Sequence, residues 1–167
     1  MTLTAQTLLA ELDTTLSGVS QDWRTAVLRQ VADLFLGDAE RYSKDQVALF
    51  DTVMSLLLPG VDDQTLAELS SRLAGVPDAL AKVLASLANH PDLGVCGPVL
   101  ERSKALPDKV LVEVADRERI EHSILAKIAA RARLGETVTD SLLKRGNPAI
   151  QRWRTQTRVS RKTASPA

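Results

Sequence analysis

Three Pro-Asp dipeptides, Pro77-Asp78, Pro91-Asp92 and Pro107-Asp108, punctuate the middle of the chain at intervals of 14 and 16 residues. After each, apolar residues recur with helical spacing. Proline suits the first turn of a helix, where its missing N–H has no intrahelical acceptor to serve, and aspartate beside it faces the positive end of the macrodipole. The intervals leave room for helices of only about two to three turns. So short a helix is marginal alone and must bury its apolar stripe on neighbours. The middle of the chain is therefore predicted to be a stack of short, tightly connected helices.

The flanking segments follow the same logic. Leu8, Leu9, Leu12 and Leu16 place a stripe on a helix over about 4–16, and Ser20 is placed to cap a second. In that second helix Trp23, Val27, Leu28, Val31, Leu34 and Phe35 form the expected buried face, and Gly37 supplies the stop. Ser43-Lys44-Asp45-Gln46 fits a capping box ahead of Val47, Phe50, Val53, Met54 and Leu57. Pro59-Gly60 ends this helix, and Asp62 or Asp63 opens a fourth that runs through Leu66, Leu69 and Leu73 to Gly75. Beyond Pro77, helices are predicted over 78–88, 92–103, 107–115, 117–132, 135–145 and 147–157. Gly146 is expected at C′ of one helix, with Asn147-Pro148 opening the next. No segment alternates in the manner of a strand. The fold class is all-α, about ten short to medium helices, with an N-terminal bundle (4–74) running into helix pairs (77–157). Together they form a single domain over 1–157, and 158–167 reads as a disordered basic tail.

Hydrophobic residues make up 44% of the chain but aromatics only 3%, so the core must be built from Leu, Val, Ile and Ala, a helix-forming palette. A lone cysteine, Cys96, cannot form an intramolecular disulfide. No signal-peptide pattern opens the chain, and no apolar run approaches the roughly 20 residues of a membrane span. A reducing cytoplasm is the expected location. Net charge is zero, yet residues 1–126 carry 11 Lys and Arg against 19 Asp and Glu, whereas residues 127–167 carry 10 against 2. An acidic body thus precedes a basic end, an asymmetry that suits an anionic partner, mutual attraction of the two halves or head-to-tail pairing of two copies.

A weak internal repeat relates Leu84-Ala85-Ser86-Leu87-Ala88 to Leu125-Ala126-Lys127-Ile128-Ala129 at an offset of 41, and Val99-Leu100-Glu101-Arg102 to Leu142-Leu143-Lys144-Arg145 at 43. Offsets of this size fall in the range of HEAT-like helix pairs. The runs Val31 to Leu36, Gln46 to Asp51, Leu84 to Gly97 with Asn89-His90-Pro91-Asp92, and Leu134 to Asp140 with Arg145-Gly146-Asn147-Pro148 together resemble a bacterial family, domain of unknown function 2336 (DUF2336), over about residues 8–150. The resemblance implies an all-helical, HEAT-like protein without an assigned reaction, and so carries over no catalytic residues.

The residues themselves offer little chemistry. His90, Cys96 and His122 lack the paired spacing of a zinc site, so no metal or other cofactor is expected. Cys96 reads as a small buried thiol, and His90, just before Pro91, as a side chain satisfying local backbone groups. Asp62 and Asp63 sit together at a helix start, where they complement a dipole and do not face one another across a cleft. No phosphate-loop, dinucleotide or nucleophile-elbow pattern occurs, and no enzyme is expected.

The basic end is the exception. Arg131, Arg133, Lys144 and Arg145 close two helices, where cations offset the negative dipole ends. Arg152, Trp153 and Arg154 follow, with Trp153 placed to dock on the preceding helix beside Ile150. These seven residues are the candidate partner-binding set. The leading expectation is a non-catalytic helical-repeat module that binds another protein or itself. The alternative is a nucleic-acid-associated regulator, which requires Arg131, Lys144, Arg145, Arg152 and Arg154 to converge on one exposed face.

Overall fold

The computed structural model describes residues 10–11, 14–16, 18–77, 79–118 and 120–146. Among them there is no strand. Helix α1 spans Gln21–Gly37, α2 Lys44–Leu57, α3 Asp63–Leu73, α4 Ala81–Ala88, α5 Leu93–Arg102, α6 Asp108–Ala115, α7 His122–Ala129 and α8 Glu136–Lys144. Residues 10–11 and 14–16 are also helical. Most of the helix expected over 4–16, and all of 147–157 and 158–167, lie outside the described residues. No described helix is long and apolar enough to cross a membrane.

The helices form two rows. In one, α1 packs on α3, α3 on α5 and α5 on α7; in the other, α2 packs on α4, α4 on α6 and α6 on α8. Contacts of α1 with α2, and of α4 with both α3 and α5, close the rows on each other. The seam holds the core, including Leu73, Leu80, Leu84, Leu100, Leu111, Ile128 and Leu142, all but sealed from solvent. Each such side chain contributes about 1.5–3 kcal/mol of burial. The rows define the true repeat. Helices α3, α5 and α7 begin at Asp63, Leu93 and His122, steps of 30 and 29 residues, while α4, α6 and α8 begin at Ala81, Asp108 and Glu136, steps of 27 and 28. The offsets of 41 and 43 instead relate α4 to α7 and α5 to α8, which belong to opposite rows. Short Leu/Ala helices facing one shared core look alike whichever row they occupy. The two-row arrangement is compatible with a HEAT-like array at this shorter repeat.

Local signals set most helix starts. Ser20 Oγ accepts from the Trp23 N–H, and Ser43 and Gln46 complete the capping box. Asp62 accepts from both the N–H and the hydroxyl of Thr65, at 2.9 and 2.8 Å, and these bonds hold its carboxyl below the ordinary value of 3.8. The Pro-Asp pairs act one position earlier than predicted: Asp92 is the N-cap of α5 with Pro91 outside the helix, and Pro107 is itself the N-cap of α6. Gly146 takes φ +64° as C′ of α8, as its position in the sequence implied.

Two departures have tertiary causes. Helix α4 begins at Ala81 and not at 78, because its cap comes from another helix: buried Asp51 of α2 accepts from the N–H groups of Lys82 (3.0 Å) and Val83 (2.9 Å). On α1 the buried face is Arg24, Leu28, Ala32 and Phe35, while Trp23 and Leu34, expected inside, are 46% and 60% exposed. Among the described helices α1 is the first of its row, with α3 as its neighbour there, and it buries a narrower stripe than its composition suggested. Arg24 bonds the carbonyl oxygens of Pro59 (2.8 Å) and Leu16, and Phe35, Tyr42 and Phe50 pack as an aromatic corner between α1 and α2.

Replacing Asp51 by Ala strips both cap bonds from α4 at a buried site and is expected to destabilise the protein by about 2 kcal/mol in urea unfolding. Asp62→Ala tests a pH-dependent cap. Because the folded carboxyl titrates below 3.8, the Asp62 contribution is full above that value and disappears as pH falls through its lower folded value. The stability gap between wild type and Asp62→Ala should therefore be present at neutral pH and close in acid.

Candidate functional site

Among the described residues, a concavity lies along α5 and α7. A cleft of about 750 Å³ is lined by Glu101, Arg102, Lys104, Ala130, Arg131, Ala132 and Arg133. It continues, through the shared Glu101 and Arg102, into a groove of about 530 Å³ lined by Leu93, Gly94, Gly97, Pro98 and Lys127. Among the described lining residues there are five cations against the one carboxylate of Glu101, a net charge of +4.

Small residues on α5 make this surface. The stem of Lys127 lies beside Gly97, with Cε 3.7 Å from where a Cβ of that residue would stand, an ordinary packing distance. The ammonium then reaches Glu101 Oε2 at 2.7 Å, a half-exposed pair that pins α7 to α5. Pro98 stands inside α5 and has no N–H to offer the carbonyl of Gly94, four residues earlier. Both residues line the groove.

Arg131 organises the deep end. Its guanidinium donates to the carbonyl oxygens of Leu100 (2.6 Å), Val99 (3.4 Å) and Ser103, the last acceptors of α5. Burial lowers its pKa and nearby Asp108 acts in the opposite sense. Gly135, the N-cap of α8, packs so tightly on Asp108 that any Cβ there would collide with the carboxylate. Two further arginines repeat the device of Arg131 in the other row. Arg117 donates to the carbonyl and side-chain oxygens of Asn89, the C-cap of α4, and Arg145 donates to the carbonyl of Asp116, the C-cap of α6. The expectation that Arg131 and Arg145 offset dipole ends therefore holds with a change of target, since each serves the neighbouring helix in its row and not its own.

The candidate residues divide accordingly. Arg131 and Arg133 both line the cleft, Arg131 engaged and Arg133 exposed. Lys144 and Arg145 are exposed at the end of α8, and Arg145 lies at the far end of α6 from Asp108 and Arg131. Eight residues of helix put those two ends about 12 Å apart. Arg152, Trp153 and Arg154 lie outside the described residues. Sequence reading missed Arg102, Lys104 and Lys127, which sit in the acidic part of the chain or at its margin. A signal for them existed in the 29-residue row spacing, which sets Arg102 opposite Arg131.

The other candidate groups are occupied with structure. Cys96 is fully buried, and desolvation raises its thiol pKa. His90 Nδ1 accepts from the Asp92 N–H at 3.2 Å, and Nε2 lies 3.5 Å from Asp63 Oδ1, so the ring holds the entry to α5. Among the described residues no three His, Cys, Asp or Glu side chains are grouped to hold a metal ion.

Residues 95–152 match the DUF2336 family model, described as an uncharacterised protein conserved in bacteria. The DUF2336 match runs from α5 past the end of α8 and so takes in Glu101, Arg102, Lys104, Lys127, Arg131 and Arg133; it covers the later part of the 8–150 span over which the sequence resembles that family. No curated protein and no solved structure matches the chain.

Arg131→Met keeps the apolar stem but removes the bonds to the carbonyls of Leu100 and Ser103 at the end of α5, while Val99 keeps the Ser103 N–H. The expected cost is about 2 kcal/mol in denaturant unfolding, with Arg131→Lys recovering only part of it, because a single ammonium cannot reproduce the planar fork.

Proposed function

We propose that this chain is a non-catalytic cytoplasmic interaction module that holds a partner protein in the α5–α7 cleft. The observation that carries the reading is the cleft itself, open and cationic. Its lining contains no serine, cysteine or histidine that would pair a nucleophile with a base. Two-row helical stacks present extended surfaces of this kind to partners. A single buried thiol suits a reducing compartment. The nucleic-acid reading has less support, since Arg131 and Arg145 are committed to carbonyl groups near opposite ends of α6.

Photo-crosslinking in the native host tests the assignment. A benzophenone side chain at Ala132, inside the cleft, is expected to give a discrete protein adduct that Arg102→Glu diminishes. The same group at exposed Gln30 on α1 is expected to give none. Adducts of equal yield from both positions, or from neither, would remove the cleft from consideration.

A further inference from the structure

We infer that the ligand of the α5–α7 cleft is an extended acidic peptide segment, an assignment that rests on the interaction-module reading above and names the chemistry of its partner. The first argument is charge. Lys127 is neutralised by Glu101 and Arg131 is spent on the α5 carbonyls. Arg102, Lys104 and Arg133 remain, all exposed and all on the cleft wall. An anion at the C-terminal ends of α5 and α7 would ordinarily meet the negative poles of two helix dipoles. The guanidinium of Arg131, set on Val99, Leu100 and Ser103, cancels that repulsion at α5 and makes the location habitable for carboxylates.

The second argument separates a peptide from a nucleic acid. Single strands are gripped by aromatic platforms on which bases stack. This cleft and groove are floored by Leu93, Gly94, Gly97, Pro98, Ala130 and Ala132, with no aromatic side chain among the described lining residues. Small apolar residues admit a peptide backbone at close range. A peptide backbone also offers an N–H at every residue, a donor that a phosphodiester backbone lacks. The peptide would run along α5, with carboxylates toward Arg102, Lys104 and Arg133 and its backbone over Gly94 and Gly97.

The test is fluorescence anisotropy on the full chain with three labelled probes: a peptide alternating Glu and Ala, its Gln/Ala counterpart, and a single-stranded oligonucleotide of equal charge. The Glu/Ala peptide is expected to bind with an affinity that falls as salt rises, and the Gln/Ala peptide to bind far more weakly. Arg102→Glu with Lys104→Glu should weaken the acidic peptide by about tenfold or more, while Lys109→Glu, an exposed charge change on α6, should leave it within about twofold. Circular dichroism confirms that each variant is folded. Equal binding of the two peptides, indifference to the double charge reversal, or tighter binding of the oligonucleotide would overturn the proposal. If the acidic peptide fails while the Ala132 crosslink persists, the acidic chemistry alone is wrong. Loss of both removes the cleft as a partner site.

Discussion

Stacking helices in parallel rows brings like dipole ends together, and the arginine bonds across those ends are what make this arrangement tolerable. Within each row successive helices run the same way, so the unsatisfied carbonyls of α4, α6 and α8 gather at one edge and those of α5 and α7 at another. Arg117, Arg131 and Arg145 each reach back one step along the row and donate to the helix before. Charge-assisted bonds of this kind are roughly twice as strong as neutral ones, and they satisfy acceptors that water would otherwise have to reach. At the opposite pole Asp51 does the complementary task for α4.

The cleft follows from the same economy. Because Arg131 satisfies the end of α5, the chain beyond Arg102 is free to turn away through Ser103 and Lys104, opening a concavity between that turn and the one after α7. Lys127 lies along Gly97, and its pair with Glu101 ties α7 to α5. Engaged cations, Lys127 and Arg131, and exposed ones, Arg102, Lys104 and Arg133, are thus interleaved on one wall.

Much of the fold was legible because its punctuation is local. Ser20, Ser43-Gln46, Asp62, Asp92 and Gly146 all act within three residues of themselves, and each marked its helix end in the sequence. The start of α4 was not legible, since its cap lies 31 residues away on α2. The repeat was misread for a related reason: Leu/Ala periodicity reports that a helix faces the core but not from which side. A better guide was the pair Lys82-Val83-Leu84 and Lys109-Val110-Leu111, 27 residues apart in successive helices of one row. Of the site, Arg131 and Arg133 were visible as a basic cluster. Arg102 and Lys104 were not, because they join that cluster only when α7 folds onto α5.

The bonds that tie one helix to the next in its row span 26 to 32 residues from Lys82 to Arg145. Closing loops of nearly equal length costs nearly equal entropy, since that cost grows only with the logarithm of length. No contact of this class must therefore wait for the distant ends of the chain to meet. A stack built this way gives folding several comparable places to begin, with each added helix docking on a surface its predecessor has just completed.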